Sequence, residues 1–364
     1  MSREIRVLHV GPGYNQRGGV ASVLNELKTA KSLFEESAIR VEFFETRGFK
    51  GAGNKLLFFA LDLPRFFFRV LSGVDIIHFH VSPRGSAFRK LIFYRLTRFM
   101  RKKVIFHWHS NNLVDCVEQS RGLVQRGLED FIANADDAIG VSTEIAADIR
   151  IFRKGAGVRV IGNCALNAER IASLGSAKAI NQRALEPYIA FSGRFVDEKG
   201  MAELFAAVAI LKEKRRHVHV KLAGTGDTGR WVKLAEDLQI LDCISFTGWL
   251  RGDEFMDFYR NARMFCLPSH REPFGIATLE AMLCGLAVVG TRRGGFLDLV
   301  KEGETGYLVA PGDAAQLADA IEKVMDDPGL AWEMGEAGRQ YALAHYSFKS
   351  VCSDYVRCYR ELYA

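Results

Sequence analysis

Short runs of β-branched and aromatic residues alternate with amphipathic stretches along the whole chain. That alternation restricts it to parallel sheets whose strands are joined by helical crossovers. In the first half, strands are predicted at Arg6–Val10, Arg40–Phe44, Asp75–Phe79, Val104–Trp108, Ala138–Val141 and Val158–Ile161. In the second half they are predicted at Tyr188–Ser192, His217–Ala223, Ile244–Thr247, Met264–Leu267 and Ala287–Gly290. Helices between them include Val20–Ser32, Met201–Lys214, Thr228–Leu238 and Ala314–Met325. Two such sets predict an α/β chain of two doubly wound, Rossmann-like domains, and 364 residues suffice for two. The polar, Ala- and Ser-rich stretch from Asn163 to Pro187 is the expected boundary, with domains at 1–165 and 166–345. Residues 346–364 read as a further helix, because Val351, Tyr355, Cys358, Tyr359 and Leu362 recur mostly every three or four residues. That helix either caps the second domain or crosses back to the first.

The ordinary balance of 48% hydrophobic and 25% charged residues excludes a disordered, collagen-like or disulfide-scaffold chain. Seven cysteines without paired spacing fit a reducing, cytoplasmic setting. The start MSREIRVLHVG reads as a charged lead into a strand, not as a signal peptide. The Phe-rich stretch Leu56 to Leu71 is broken by Asp62, Pro64, Arg65 and Arg69, so it is not expected to span a membrane.

Four stretches carry candidate chemistry. Gly11 to Val20, GPGYNQRGGV, joins the first strand to the first helix. Gln16 stands where a nicotinamide or flavin fingerprint needs glycine, which leaves Gly18 and Gly19 opening a helix whose N-terminus favours an anion, or else a plain turn. His78, His80, His107 and His109 end two adjacent strands, and alternation puts His107 and His109 on one face, opposite Phe106 and Trp108. No carboxylate lies between residues 76 and 114 and no ligand spacing is diagnostic, so no metal is expected. One of the histidines is expected to bond a substrate hydroxyl instead.

The other two stretches lie in the second half. In Gly193-Arg194-Phe-Val-Asp-Glu-Lys199-Gly200, two cations at a strand-to-helix junction suit a diphosphate. Surface charge is the plainer alternative. Glu272-Pro-Phe274-Gly275-Ile276-Ala-Thr-Leu-Glu280 follows a strand and opens a helix near Gly275. Its free N–H groups and dipole favour a phosphate, and the two flanking carboxylates suit sugar and ribose hydroxyls.

Together these stretches resemble the retaining glycosyltransferases of the large bacterial family four, the group 1 glycosyltransferases. The resemblance rests on Gly18-Gly19-Val20, Arg194…Lys199, Ala223-Gly224-Thr-Gly226-Asp, Phe246-Thr-Gly248, Leu267-Pro-Ser269, Glu272 to Glu280 and Glu302 to Val309, in order. The pattern His78-Phe-His80…Arg89-Lys90…His107-Trp-His109 is similar to enzymes of surface-polysaccharide and lipopolysaccharide assembly. The resemblance implies the GT-B fold with an interdomain cleft. It implies metal-independent hexosyl transfer with retention, from a nucleotide sugar (UDP favoured, GDP next) to a glycan or lipid-linked acceptor.

The resemblance also implies roles. Glu272, Arg194, Lys199 and His109 would be the catalytic set, with His107 the rival histidine. Gly18, Gly19, Arg194, Lys199, Gly224, Gly248, Phe274, Gly275, Ile276 and Glu280 would bind the donor. The nucleotide sugar is then a substrate, and no cofactor is implied. One departure stands out: Gly162-Asn163-Cys164 replaces the family's frequent Pro-Asn-Gly at the hinge. A catalytically silent member that binds a membrane or partner, and a nucleotide-sugar epimerase, remain alternatives.

The net charge of +6 is uneven, since residues 1–165 carry a net +9 and the rest −3. Residues 40–114 hold 14 Lys/Arg against 4 Asp/Glu, and thirteen of the 26 Phe lie between Phe43 and Phe106. Either the rings pack the core and the cations coat it, or the segment meets an anionic membrane carrying a lipid-linked acceptor. The second reading places the protein in the cytoplasm, peripheral at the inner face of the membrane. Nucleic acid is not an expected partner, because no helix-turn-helix, zinc-finger or RNP-like pattern accompanies the charge.

Overall fold

The computed structural model describes residues 3–13, 19–47, 52–154, 157–165 and 187–364. The chain forms two compact units, the first comprising Met1–Cys164 with Phe348–Ala364 and the second Ala165–Ser347. Most of the Asn163 to Pro187 stretch lies outside the described residues.

The first unit holds a six-stranded sheet of β1 (Ile5–Pro12), β2 (Ile39–Thr46), β3 (Ile76–Val81), β4 (Lys103–Trp108), β5 (Asp137–Gly140) and β6 (Arg159–Val160). The order is β2-β1-β3-β4-β5-β6 and every pairing is parallel. Side-chain alternation divides the faces. Phe79 and Phe106 point to one side and meet Phe131, on the helix Leu123–Asn134, edge to face at 5.4 and 5.0 Å. His9, His78, His80 and His107 point to the other, where the helix Phe348–Tyr363 lays Tyr355 and Tyr359 over them.

The second unit holds β7 (Tyr188–Phe195), β8 (Val220–Gly226), β9 (Ile244–Gly248), β10 (Ala262–Leu267), β11 (Ala287–Thr291) and β12 (Gly306–Val309). Their order is β12-β11-β10-β7-β8-β9, again all parallel. β7 therefore lies between β8 and β10, where the winding direction reverses. In doubly wound sheets the ligand crevice lies at that reversal, beyond the carboxyl ends of the strands. In the first unit the reversal falls between β1 and β3.

The sheet register explains where strand limits differ from the sequence reading. β8 starts at Val220, not His217, because Val220 is the residue that pairs with Ile189 near the start of β7. β7 runs to Phe195, not Ser192, because Gly193, Arg194 and Phe195 pair on with Gly224, Thr225 and Gly226. β12 was not anticipated; its pairing with β11 defines it. Among the described residues no helix is long and apolar enough to cross a membrane.

Candidate functional site

In the second unit, the loops after β7 and β10 are stitched together at the sheet's reversal. Ser269 Oγ donates to the carbonyl of Glu198 at 2.9 Å, and the amide of His270 donates to the same oxygen at 3.0 Å. Gly200, with φ +70°, sits where a Cβ would fall 1.9 Å from the carbonyl oxygen of Pro268, so only glycine permits this approach. The result brings Lys199 to Glu272: Nζ donates to Oε2 at 2.6 Å. Both side chains are largely buried, at 18% and 10% exposure, so the pair is shielded more than a surface salt bridge. Arg194 sits within β7 itself, exposed, and makes no side-chain hydrogen bond or ion pair among the described residues.

Glu272 is held by what lies beneath it. The amide of Gly295 donates to its carbonyl at 2.8 Å. A Cβ on Gly294, where φ is +62°, would lie 2.1 Å from that same oxygen. Thr291 Oγ1 donates to the Ser269 carbonyl at 2.5 Å, tying the loop to the end of β11. The sequence reading passed over Gly294, Gly295 and Thr291. The doubled glycine of Arg292-Arg293-Gly294-Gly295 after a strand was the available signal.

The helix Ile276–Leu283 begins just past this loop, with Gly275 at its N-cap in the left-handed region at φ +102°. Residues 272–275 are not helical, so Glu272 stands in the loop before the helix that carries Glu280. Glu280 lies in the body of the helix, half-buried. Its carboxylate acts on Tyr259, whose hydroxyl is pushed well up by burial first and by Glu280 second. Phe274 is buried against Tyr346, so its ring is core and only its backbone is available to a ligand. Ile276 opens the helix, and the Thr278 hydroxyl in the first turn is buried with no hydrogen-bond partner among the described residues.

The proposed glycines are dispersed. Gly224, inside β8, is required structurally, since a Cβ there would lie 1.8 Å from the Gly193 carbonyl oxygen. Gly248 ends β9, exposed at φ +74° with open space around it. In the first unit, Gly19 opens the helix Gly19–Thr29, and Gly18 lies outside the described residues.

The first unit brings together all four histidines noted in the sequence, and adds His9 from β1. His80 Nδ1 and His109 Nε2 are 2.9 Å apart, and His9 Nδ1 and His80 Nε2 are 2.9 Å apart. The Tyr359 hydroxyl lies 3.1 Å from His9 Nε2 and 2.8 Å from His78 Nδ1. His78 Nε2 lies 3.1 Å from His107 Nδ1. Burial holds His9 down to about 3 and pushes His78, His80 and His107 well below their ordinary value. His109, partly exposed just past the end of β4, is also lowered to about 3, by burial and then by Lys90. His107 is fully buried, whereas His109, the other of the two rival histidines, is partly exposed.

His80, His107 and His109 have ligand atoms within 4.8 Å of one another, as do His9, His78 and His80. The chemistry does not favour a cation there. Both nitrogens of His9, His78 and His80 are already in hydrogen bonds, and the nearby charged group acting on His109 is itself a cation, Lys90. Lys90 is wholly buried, bonded to Ser86 Oγ at 2.9 Å, and burial with Arg89 alongside lowers it to about 7. Sequence reasoning counted Arg89 and Lys90 among surface cations. Both are buried instead, because they fall on the inward face of the helix Gly85–Phe99. Alternation along β1 was the signal for His9. Tyr359 carried only the signal of helical packing.

Two surface features complete the first unit. A cavity of about 580 Å³ opens at the carboxyl ends of β1 and β2, lined by Gly13, Lys28, Lys31, Arg47, Asp62 and Arg65, among others. A second, of about 550 Å³, is apolar, lined by Leu63, Pro64, Phe67, Phe68, Ile92 and Leu96. The Phe-rich segment is divided: Phe58, Phe66, Phe79 and Phe93 are core, whereas Phe99 is 83% and Phe68 67% exposed.

Residues 176–341 match the family model of the glycosyl transferases group 1. Glycogen synthase of Mycobacterium tuberculosis is 32% identical over 170 residues, 46% of this chain and 41% of that protein. The lipopolysaccharide core biosynthesis glycosyltransferase LpsE of Rhizobium meliloti is 32% identical over 201 residues, 55% of this chain and 57% of that one. The chain thus spans about half the length of the curated relatives it matches. Anabaena Alr3699/HepE, solved in complex with UDP-glucose, superposes with a TM-score of 0.71 at 19% identity, covering 98% of this chain and 100% of that one. At that identity the likeness establishes the fold, which is GT-B.

Proposed function

We propose, from the match of residues 176–341 to the glycosyl transferases group 1, that this chain moves a hexosyl group from a nucleotide sugar to a glycan or lipid-linked acceptor with retention, needing no metal. The observation that carries this reading is the buried Lys199–Glu272 pair at the reversal point of the second sheet. Lys199 would meet the donor diphosphate there, with Arg194 reaching it by forked hydrogen bonds. Glu272 would accept from sugar hydroxyls, the amides of Phe274, Gly275 and Ile276 would face the phosphate at the helix N-terminus, and Glu280 would take the ribose. As the leaving phosphate gains charge, the two cations and the helix N-terminus stabilise it.

The first unit would hold the acceptor, with His109 presenting its ring to a substrate oxygen. Lys31 and Arg65 line the polar cavity near rings of Phe43 and Phe44, and they suit an anionic acceptor group. The relationship to LpsE supports surface-polysaccharide assembly as the setting. The HepE complex supports UDP as the donor's nucleotide. The decisive experiment is a calorimetric binding panel of UDP-, GDP- and ADP-sugars, repeated with Glu272→Ala. One nucleotide class should bind and lose affinity in the variant. Binding of none, or unchanged binding in Glu272→Ala, would sink the site assignment.

The exposed rings of Phe68 and Phe99 and the apolar groove lined by Phe67 and Ile92, with Arg65, Arg69, Arg95 and Arg98 carried by the same two helices, Leu63–Leu71 and Gly85–Phe99, support a membrane-facing role for this surface. It would bring the enzyme to a lipid-linked acceptor.

A further inference from the structure

We infer that Tyr359 is a positioning residue that joins two runs of buried histidines into one hydrogen-bonded chain and thereby fixes His109 as the tautomer that donates from Nδ1. The chain runs His107–His78–Tyr359–His9–His80–His109, with separations of 3.1, 2.8, 3.1, 2.9 and 2.9 Å. Its members come from β1, β3, β4, the residue after β4 and the C-terminal helix. Burial keeps all five imidazoles neutral at physiological pH.

Proton counting then constrains the chain. Each neutral imidazole carries one N–H and the phenol one O–H, so six protons serve five hydrogen bonds. Each inner imidazole must accept on one side and donate on the other, whereas the phenol oxygen can also accept from both sides. That third arrangement leaves the fully buried Tyr359 O–H without an acceptor among the described residues, and unsatisfied buried donors are rare. Two arrangements remain, one donating toward His107 and one toward His109, and the sixth proton is left at the end toward which the chain donates. Chains of this kind polarise along their length, so a preference at one end is transmitted to the other.

The His107 end decides between them. Its Nε2 is buried and has no partner among the described residues. Orphaned buried N–H groups are rarer than under-satisfied acceptors, so His107 keeps its lone pair there and its proton on Nδ1. Every group then donates toward His109, whose Nε2 accepts from His80. The proton left over is the one on His109 Nδ1, at the partly exposed end. His109 therefore presents a donor, and it acts by holding a substrate oxygen rather than by removing a proton. This consequence rests on the reading of His109 as substrate-facing; the tautomer itself does not.

Selective ¹⁵N-histidine NMR of the full-length protein, without substrate, tests it, with the His109 signals assigned by their loss in His109→Asn. The wild type should show His109 with a protonated Nδ1 and a bare Nε2. Tyr359→Phe should loosen it, with a fraction protonated on Nε2 appearing, because the O–H that His9 Nε2 accepts is gone and the hydrogen-bonded link to His107 is cut. Tyr355→Phe, which removes a buried hydroxyl on the same helix that has no partner among the described residues, should leave the wild-type pattern. A wild-type His109 protonated on Nε2 overturns the inference. So does an unchanged pattern in Tyr359→Phe, or an equal change in Tyr355→Phe. Should Tyr359→Phe fail to fold, the wild-type tautomer still decides. Wild-type transfer by His109→Ala would remove the substrate-facing reading and leave the tautomer assignment standing.

Discussion

Lys199 and Glu272 stand 73 residues apart in the chain, yet the Lys199 ammonium donates to Glu272 Oε2 at 2.6 Å in a largely dry setting. Under the proposed function, a donor diphosphate would draw the lysine and a sugar hydroxyl would take its place on the carboxylate, so each side chain holds the other in place for that exchange.

Lys199→Ala and Glu272→Ala should each lower kcat by roughly 100- to 1,000-fold, the usual effect of removing one charge-stabilising group. Each should also cost about 1–3 kcal/mol of stability, because a poorly hydrated charge is left without its partner. The double variant should be less destabilised than the sum of the two singles. Denaturant unfolding of all four proteins measures this cycle, and strict additivity would mean that the pair contributes no coupling.

Gly294→Ala should damage the same site from below. Its Cβ would meet the carbonyl oxygen of Glu272 at 2.1 Å, and the left-handed backbone alone costs about 1–2 kcal/mol for a non-glycine residue. The Glu272 loop must move, so donor affinity should fall at least about tenfold, a change of about 1.4 kcal/mol. Calorimetric titration together with a thermal melt checks this, and wild-type values in both would show that the loop yields without consequence.

The histidine chain predicts a steep acid limit to stability. His9 and His109 titrate near 3 in the folded protein and near 6.5 when unfolded. Below about 6.5 the unfolded chain therefore binds protons that the folded one refuses, and stability falls as pH drops. Each such histidine removes about 1.4 kcal/mol per pH unit between those limits, and the stability is fully present above about 6.5. Urea midpoints measured from pH 8 to 4 should decline with a slope of more than one proton. His9→Gln should flatten that slope, and a midpoint flat to pH 4 would contradict the neutral, buried assignment.

The exposed rings of the first unit make a prediction about surfaces. Wild-type protein should pellet with anionic liposomes at low salt, and Phe68→Asp with Phe99→Asp should release it while leaving donor binding intact. Salt should weaken the association, because the arginine contribution is screened. Equal pelleting of wild type and double variant would assign these rings another role.

Much of the fold was legible because strand periodicity and glycine placement are local properties. Eleven of the twelve strands among the described residues can be read from short apolar runs, and Glu272, Glu280, Arg194 and Lys199 stand out because their motifs flank strand ends. Gly224 illustrates the limit: in sequence it belongs to a glycine motif, whereas in space a neighbouring carbonyl forbids a side chain there. Arg89 and Lys90 illustrate another, since the helix face that carries them inward is set by packing rather than by their own polarity.

By itself, then, the sequence determines the two parallel sheets, the strand ends at which chemistry gathers, and the residue types available there. Tertiary structure alone decides who meets whom. Lys199 finds Glu272 only because Gly200 lets one loop lie against Pro268 of another. Among the described residues the hydrogen bonds link His109 to His107 by way of His80, His9, Tyr359 and His78, and His9 and Tyr359 are 350 residues apart. Periodicity reports which face a side chain takes, but a hydrogen bond needs a partner within about 3 Å. Across hundreds of residues that distance is set by strand order and helix docking, not by spacing along the chain.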